Sequence, residues 1–291
     1  MSNPESRSPL GNAKICFYGA GSMVEAILRG LTEKRVAAPS LIHVMNRQNK
    51  ERLLELQSRY GVVPAIEPAA KEDALSGADV IVLGMKPKDA AEALLSLKSL
   101  LRPEQIVVSL IAGLSIDTME RLIGRKQPIV RTMPNTSSTI GLGATGISFS
   151  EAVSPEGREL GLAMFDAVGL TTVVEERLLE TVTAVSGSGP AYIYYMMEAM
   201  IQAGVDLGLA PEAARELAVQ TVRGAAEMVR LTGEAPAELR RKVTSPNGTT
   251  QAALETMERL GFADAVQQGM RRCAERAGEL GQAIADEALA R

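Results

Sequence analysis

The sequence predicts an α/β domain built on a parallel sheet, followed by an all-helical domain. Three observations predict it. From Lys14 onward, short apolar runs alternate with helix-length segments, the pattern of a parallel sheet covered on both faces. Within the short runs the apolar residues are contiguous rather than alternating, as strands buried on both faces require. Beyond Glu175 the strand pattern stops and long helical segments take over.

In chain order, residues 15–18 form a compact strand candidate and 22–31 follow with helical spacing. Residues 42–45 are a second strand, and 50–60 an amphipathic helix ended by Gly61. Further strands are predicted at 62–65, 80–83, 106–110 and 129–132, with helices at 89–101 and 116–123. Residues 144–148 and 171–174 add two strands at the sheet edge. Helices are then expected at 178–185, 191–207, 211–231, 249–260 and 263–290, with Pro211 suited to a first turn. The domains are therefore a polar, mobile lead-in over 1–12, an α/β domain over 13–174 and a helical domain over 175–291.

Of the 291 residues 46% are apolar, enough for a real core, and the formal net charge is −4. No basic surface is implied, which argues against nucleic acid and anionic membrane as partners. The two cysteines, Cys16 and Cys273, stand far apart, and His43 is the only histidine. A disulfide framework is thereby excluded, a histidine-centred triad or a multi-histidine metal site would have to rest on His43 alone, and no metal is expected. The first dozen residues lack the apolar stretch of a secretory signal, and no run of about twenty apolar residues occurs. The expected compartment is the cytoplasm.

The helical domain is rich in small residues: Ala199, Ala203, Gly204, Ala213, Ala214 and Ala218 among them. Small side chains let helices approach closely, and closed symmetric dimers are the commonest oligomers. A homo-oligomer joined through this domain is expected; a self-contained bundle is the alternative.

Gly19-Ala20-Gly21-Ser22-Met23 follows the first strand and opens the first helix. Gly19 allows the tight turn, and Gly21 lets a pyrophosphate approach the backbone. The helix start then offers free N–H groups and a partial positive charge. A third glycine would fall where this chain has Val24; that position serves helix–strand packing. The context of strand, glycine turn and helix predicts a dinucleotide. At the end of the second strand, where an acid would favour NAD, stand Asn46 and Arg47. Asn46 can bond a phosphate oxygen and Arg47 can pair with a 2′-phosphate, so NADPH is favoured, with NADH as the other cofactor; a solvated surface arginine is the alternative for Arg47. Gly84-Met85-Lys86-Pro87 and Ala112-Gly113 end two later strands, and ligands of open parallel sheets lie beyond such ends.

Two segments carry a family resemblance. Val182-Thr183-Ala184-Val185-Ser186-Gly187-Ser188-Gly189-Pro190-Ala191-Tyr192 and Val243-Thr244-Ser245-Pro246-Asn247-Gly248-Thr249-Thr250 are similar to signatures of the pyrroline-5-carboxylate reductases. Gly19 to Met23, Lys86-Pro87 and Arg131-Thr132-Met133-Pro134-Asn135-Thr136 fit the same family, in the right order over nearly the whole chain. Asn247 replaces a glycine usual there, and Val24 a small residue. Asparagine tolerates left-handed backbone well. The resemblance implies a Rossmann-type domain with a helical dimerisation domain, NADPH or NADH as hydride donor, and L-proline as product. It also implies a cofactor contact at Asn135, and a substrate site between the nicotinamide and the helical domain that the neighbouring chain helps to complete.

The chemistry agrees with that implication. The segment from Ser245 through Gly248 to Thr249 and Thr250 precedes a helix, so two amides at the helix start suit a carboxylate. The Thr250 hydroxyl can bond a ring nitrogen; plain capping by Thr249 or Ser245 is the alternative. Ser188 and Gly189 also begin a helix, where glycines permit close approach. Reduction of a carbonyl needs a protein acid to protonate the alkoxide. A cyclic imine is basic enough to be protonated in water, and positioning supplies most of the rate. Hydroxyacid dehydrogenases of this general architecture carry a lysine on the helix after the glycine-rich turn; here that helix reads Ala191-Tyr192-Ile193-Tyr194-Tyr195-Met196-Met197-Glu198. Imine reduction by NADPH is the function expected, with Thr250 as the catalytic contact and a reductase for a six-membered imine acid, or a non-catalytic dinucleotide-binding regulator, as alternatives.

Overall fold

In residues 10–290, those this computed structural model describes, the elements run β1 (Ile15–Tyr18), α1 (Ser22–Glu33), β2 (Ile42–Met45), α2 (Lys50–Tyr60), β3 (Val63–Pro64), α3 (Pro68–Gly77), β4 (Val80–Leu83), α4 (Pro87–Leu97), β5 (Ile106–Ser109), α5 (Ile116–Ile123), β6 (Ile129–Met133), β7 (Gly143–Phe149), α6 (Pro155–Asp166) and β8 (Gly169–Val173). There follow α7 (Leu179–Val182), a π-helical turn (Thr183–Gly187), α8 (Gly189–Asp206), α9 (Pro211–Thr232), α10 (Pro236–Lys242), α11 (Thr249–Arg259) and α12 (Phe262–Leu289).

The strands make one eight-stranded sheet in the order β3-β2-β1-β4-β5-β6-β7-β8. All neighbours are parallel except β6 and β7. The first six follow the doubly wound order, which reverses between β1 and β4. β7 was expected at an edge but lies inside the sheet. A short 3-10 turn at Thr136–Ile140 returns the chain antiparallel beside β6, and α6 then crosses over so that β8 runs parallel to β7. Two apolar clusters cover the sheet. Phe17, Val44, Val82, Val108 and Phe165 belong to one, and Cys16, Ile81, Leu83, Val107 and Ile129 to the other. Residues 16 and 17 fall on opposite sides, as the period of two requires. Burial pushes the Cys16 thiol up to about 12.

Local signals set several boundaries. The Asn49 side chain accepts from the Arg52 amide to start α2, and Gly61 ends it in the left-handed region. Ser115 and Gly124 do the same for α5. Helices α3, α6 and α10 have no counterpart in the apolar pattern, and each opens on a proline.

The chain divides into two compact units. One runs through Ser188 and includes the segment from Cys273 on; the other is Gly189–Arg272. The expected boundary at Glu175 lies inside the first of these units. Arg131, nearly buried at the end of the sheet, holds Glu176 at 3.1 Å and Glu180 at 2.9 Å, which ties these residues to β6. Of the expected lead-in, residues 1–9 lie outside the described residues. Leu10 is fully buried and its carbonyl accepts from the Ala13 amide, so that end of the lead-in belongs to the core. No helix among the described residues is long and apolar enough to cross a membrane.

Candidate active site

In the first unit, the sheet brings most of the predicted cofactor residues to one edge. Gly19 to Met23 follow β1, Asn46 and Arg47 follow β2, Gly84 to Pro87 follow β4, Ala112 and Gly113 follow β5, and Asn135 follows β6. All lie at the carboxyl ends of parallel strands, with the β1–β4 reversal at the centre.

Two glycines make the centre possible. Gly19 has φ +129°, and a Cβ there would lie 2.4 Å from the Gly84 carbonyl oxygen. A Cβ on Gly84 would lie 2.2 Å from a methyl of Val24. Val24 is buried, so the packing space that a small residue on α1 would leave is provided instead by Gly84. The Val24 departure is thus accommodated. Gly21 is different. It caps α1 without a side-chain partner, and the nearest atom to its absent Cβ is 4.0 Å away. The uncapped start of α1 beside an open glycine is the cradle an anionic pyrophosphate fits. Ala20 and Met23 turn their side chains to the core, leaving backbone to the ligand.

Arg47 is largely exposed, its guanidinium 3.8 Å from Asp89 and 4.0 Å from Glu92 on α4. The Asn46 amide donates to the Asn49 carbonyl at 2.7 Å. Lys86 caps α4 through its backbone only, and Pro87 takes the first turn. Gly113, φ +80°, lies against Gly281 of α12; a Cβ on Gly281 would come within 2.6 Å of the Gly113 carbonyl oxygen. A cavity of 440 Å³ opens there, lined by Ser115, Thr118, Gly278 and Gln282 among others. Asn135 uses its amide within the protein, donating to the Ser186 carbonyl at 3.0 Å and accepting from the Ala144 amide at 3.1 Å. It braces the π-helical turn, where the Ser188 amide reaches back to the Thr183 carbonyl at 2.8 Å. The Ser188 hydroxyl receives the Cys273 thiol at 3.3 Å.

A larger cavity of 850 Å³ contains none of the predicted residues. Its charged lining is partly spent, since Lys126 pairs with Glu120 at 2.6 Å and Glu176 with Arg131.

Sequence reading missed the groups that support the glycine turn. Arg52 on α2 donates from Nε to the Ala20 carbonyl at 3.2 Å, pairs with Glu25 on α1 and reaches Glu55 at 2.7 Å. Arg59 also pairs with Glu25, and the Tyr60 hydroxyl donates to it at 2.8 Å. Burial would raise the Glu25 carboxyl, but hydrogen bonds from Arg52 and Tyr60 and the charges of Arg52 and Arg59 outweigh it and hold it below the usual carboxylate range. These contacts join residues about thirty apart, so no local pattern announces them.

In the second unit, α11 starts at Thr249 with Gly248 as its cap, and no side chain caps it. Neither Ser245 nor Thr249 plays the capping role. Instead, Gln251 accepts from the Asn247 amide at 2.8 Å. Asn247 adopts φ +58°, the left-handed conformation its side chain tolerates. The Gly248 amide closes the turn on the Ser245 carbonyl at 3.0 Å. Thr250 is half-buried and Thr249 exposed. The result is an uncapped helix start bearing a hydroxyl, chemistry suited to a carboxylate with an adjacent polar atom. Gly189 opens α8, with open space where its Cβ would be.

The sequence of this chain is 41% identical over 278 residues to pyrroline-5-carboxylate reductase 2 of Bacillus subtilis (strain 168), covering 96% of this chain and 99% of that one. The chain belongs to the pyrroline-5-carboxylate reductase family. The family model for pyrroline-5-carboxylate reductase dimerisation matches residues 176–280, and that for NADP oxidoreductase, coenzyme F420-dependent, matches 14–113. The Pseudomonas aeruginosa member of the family is 36% identical over 94% of this chain and 99% of its own. Among solved structures, the Coxiella burnetii reductase has a TM-score of 0.87 at 35% identity, covering 93% of this chain and 99% of that one. The Plasmodium falciparum reductase, with NADP bound, has a TM-score of 0.82 at 26% identity, covering 94% and 99%.

Proposed function

We propose that this enzyme reduces 1-pyrroline-5-carboxylate to L-proline, the final step of proline biosynthesis, with NADPH as the preferred donor. Family membership over nearly the full length of the chain carries the reading. The nicotinamide, when bound, supplies the hydride. The glycine turn and the start of α1 hold the pyrophosphate, and Asn46 and Arg47 take the 2′-phosphate in place of the acid that would select NAD. A 2′-phosphate competes well for Arg47, whose contacts with Asp89 and Glu92 are long and solvated.

The Thr249 and Thr250 amides hold the substrate carboxylate, and the Thr250 hydroxyl bonds the ring nitrogen. With Gly248 as cap and neither Ser245 nor Thr249 bonded to the first turn, these groups are available to a ligand. No lysine occurs on α8. An imine already protonated in solution needs only to be held while its carbon accepts hydride. The exposed apolar faces of α8 and α9 form the homo-oligomer interface.

Following NADPH absorbance with five- and six-membered cyclic imine acids tests the reading. Rapid oxidation with the five-membered acid, with proline as the product, is expected. A preference for the six-membered acid would shift the substrate assignment, and no oxidation with either would leave a dinucleotide-binding protein without this activity.

A further inference from the structure

The residues that hold the glycine turn in place form a single network centred on Arg52. Its backbone amide starts α2 by donating to the Asn49 side chain at 2.9 Å. Asn49 in turn receives Asn46, at the corner where the adenosine ribose is expected. The Arg52 side chain runs the other way, to the Ala20 carbonyl at 3.2 Å and to the Glu25 carboxylate. One residue therefore touches both halves of the nucleotide site, across a sequence separation of 32 on one side.

Each contact has a consequence for a bound pyrophosphate. The Ala20–Gly21 peptide is trans, as are all peptides among the described residues. Its C=O and N–H point in opposite directions. Holding the carbonyl toward α2 aims the Gly21 N–H away from α2. Glu25 is the acid in the first turn of α1. Unpaired, its charge would repel an anion at the same helix start. Arg52 and Arg59 cancel that charge while both side chains of the Arg52–Glu25 pair remain only 21% exposed. A surface pair would do little; this one is partly buried, hydrogen-bonded and anchored to backbone.

We propose that Arg52 is a positioning residue for the dinucleotide: it presets the Ala20–Gly21 peptide and neutralises Glu25, so that the turn receives pyrophosphate without rearranging. The proposal rests on the reading that this turn holds the pyrophosphate. It makes Arg52 indifferent to the 2′-phosphate, and so distinct from Arg47.

The test is calorimetric titration of NADPH and of NADH into the full-length enzyme and its variants. Arg52→Gln should weaken both cofactors by a similar factor, about tenfold for a lost charge-assisted hydrogen bond and an exposed carboxylate. The cofactor KM should rise with it, while kcat at saturating cofactor and the imine KM stay within about twofold. Adding Glu25→Gln should recover about a third of that loss on a logarithmic scale or more, because the uncompensated charge is gone. Arg52→Lys, which keeps the charge but loses the fork, serves if the glutamine variant does not fold, and should weaken both cofactors by about threefold. Gly21→Val is the control for the underlying reading, since its side chain enters open space and would occupy the phosphate position. If Gly21→Val weakens both cofactors and the Arg52 variants weaken neither, Arg52 is only a structural brace and the proposal fails. A loss confined to NADPH also overturns it. If Gly21→Val has no effect, the turn does not hold pyrophosphate, and both readings fall.

Discussion

The two compact units bury their apolar residues to very different degrees. The first closes a core on both faces of its sheet, with Phe17, Ile27, Val44, Ile81, Leu83 and Phe165 essentially inaccessible. In the second, Ala214 and Ala218 are the buried apolar residues among those described, while Leu207 is 88% exposed, Tyr195 76% and Leu260 73%. Helix α9 even carries a stripe, Leu217, Met228 and Leu231, at helical spacing and open to solvent. A chain does not leave that much apolar surface in water without a partner. The first unit closes a core of its own; we infer that the second completes its core by association, in keeping with the family's dimerisation match over residues 176–280. Its stability is then inseparable from protomer concentration.

The largest effect should come from breaking that association. The double variant Leu217→Glu/Met228→Glu places two charges on the α9 stripe and should abolish the oligomer in sedimentation runs. The helical signal of the second unit should melt early, while the first unit keeps its own transition. A monomer with an unchanged melting curve would show that the second unit has a core of its own.

The next effect should fall on the first unit. Gly19→Ala forces a Cβ against the Gly84 carbonyl in a left-handed backbone. Backbone strain of about 1–3 kcal/mol adds to about 1–3 kcal/mol of overpacking. Thermal unfolding should move down by several degrees and NADPH affinity should drop with it. An unchanged transition would mean that the β1–β4 junction is looser than its geometry indicates.

These two variants also mark what the sequence made legible. The bounds of β1, β2, β4, α2 and α5 follow from contiguous apolar runs, from helical spacing and, for α2, from the closing Gly61. Helices α3, α6 and α10 were not legible, because Pro68, Pro155 and Pro236 suit a turn as well as a first helical position. The glycine turn and the helix start at Thr249 were legible because each lies in a few adjacent residues. Three features were not. Gly84 makes room for Val24, Gly281 makes room for Gly113, and Arg52 braces Ala20, each across a gap that only the fold closes.

Effects on the proposed substrate contacts should be smaller and confined to turnover. Thr250→Ala keeps the helix-start amides and removes one hydrogen bond to a charged group, worth about 1.5–3 kcal/mol. The ratio kcat/KM for the imine should fall by about tenfold to a hundredfold, Thr250→Ser should restore most of it, and NADPH affinity should hold. Normal kinetics in the alanine variant would make Thr250 a helix-terminus residue and nothing more.

The smallest effect separates the two cofactors. Arg47→Ala should weaken NADPH by about tenfold, the value of a charge-assisted contact to phosphate, and leave NADH within about twofold. Equal losses for both would assign Arg47 to the adenosine rather than to its phosphate.

The central claim is that this enzyme moves a hydride from the nicotinamide to an imine carbon. The most direct measurement uses NADPH carrying deuterium at the transferable position of C4, 1-pyrroline-5-carboxylate and purified enzyme, with mass spectrometry of the proline formed. The account predicts one deuterium per proline, on the carbon that had carried the C=N bond. Proline without deuterium, or NADPH left unoxidised beside the imine, would contradict it.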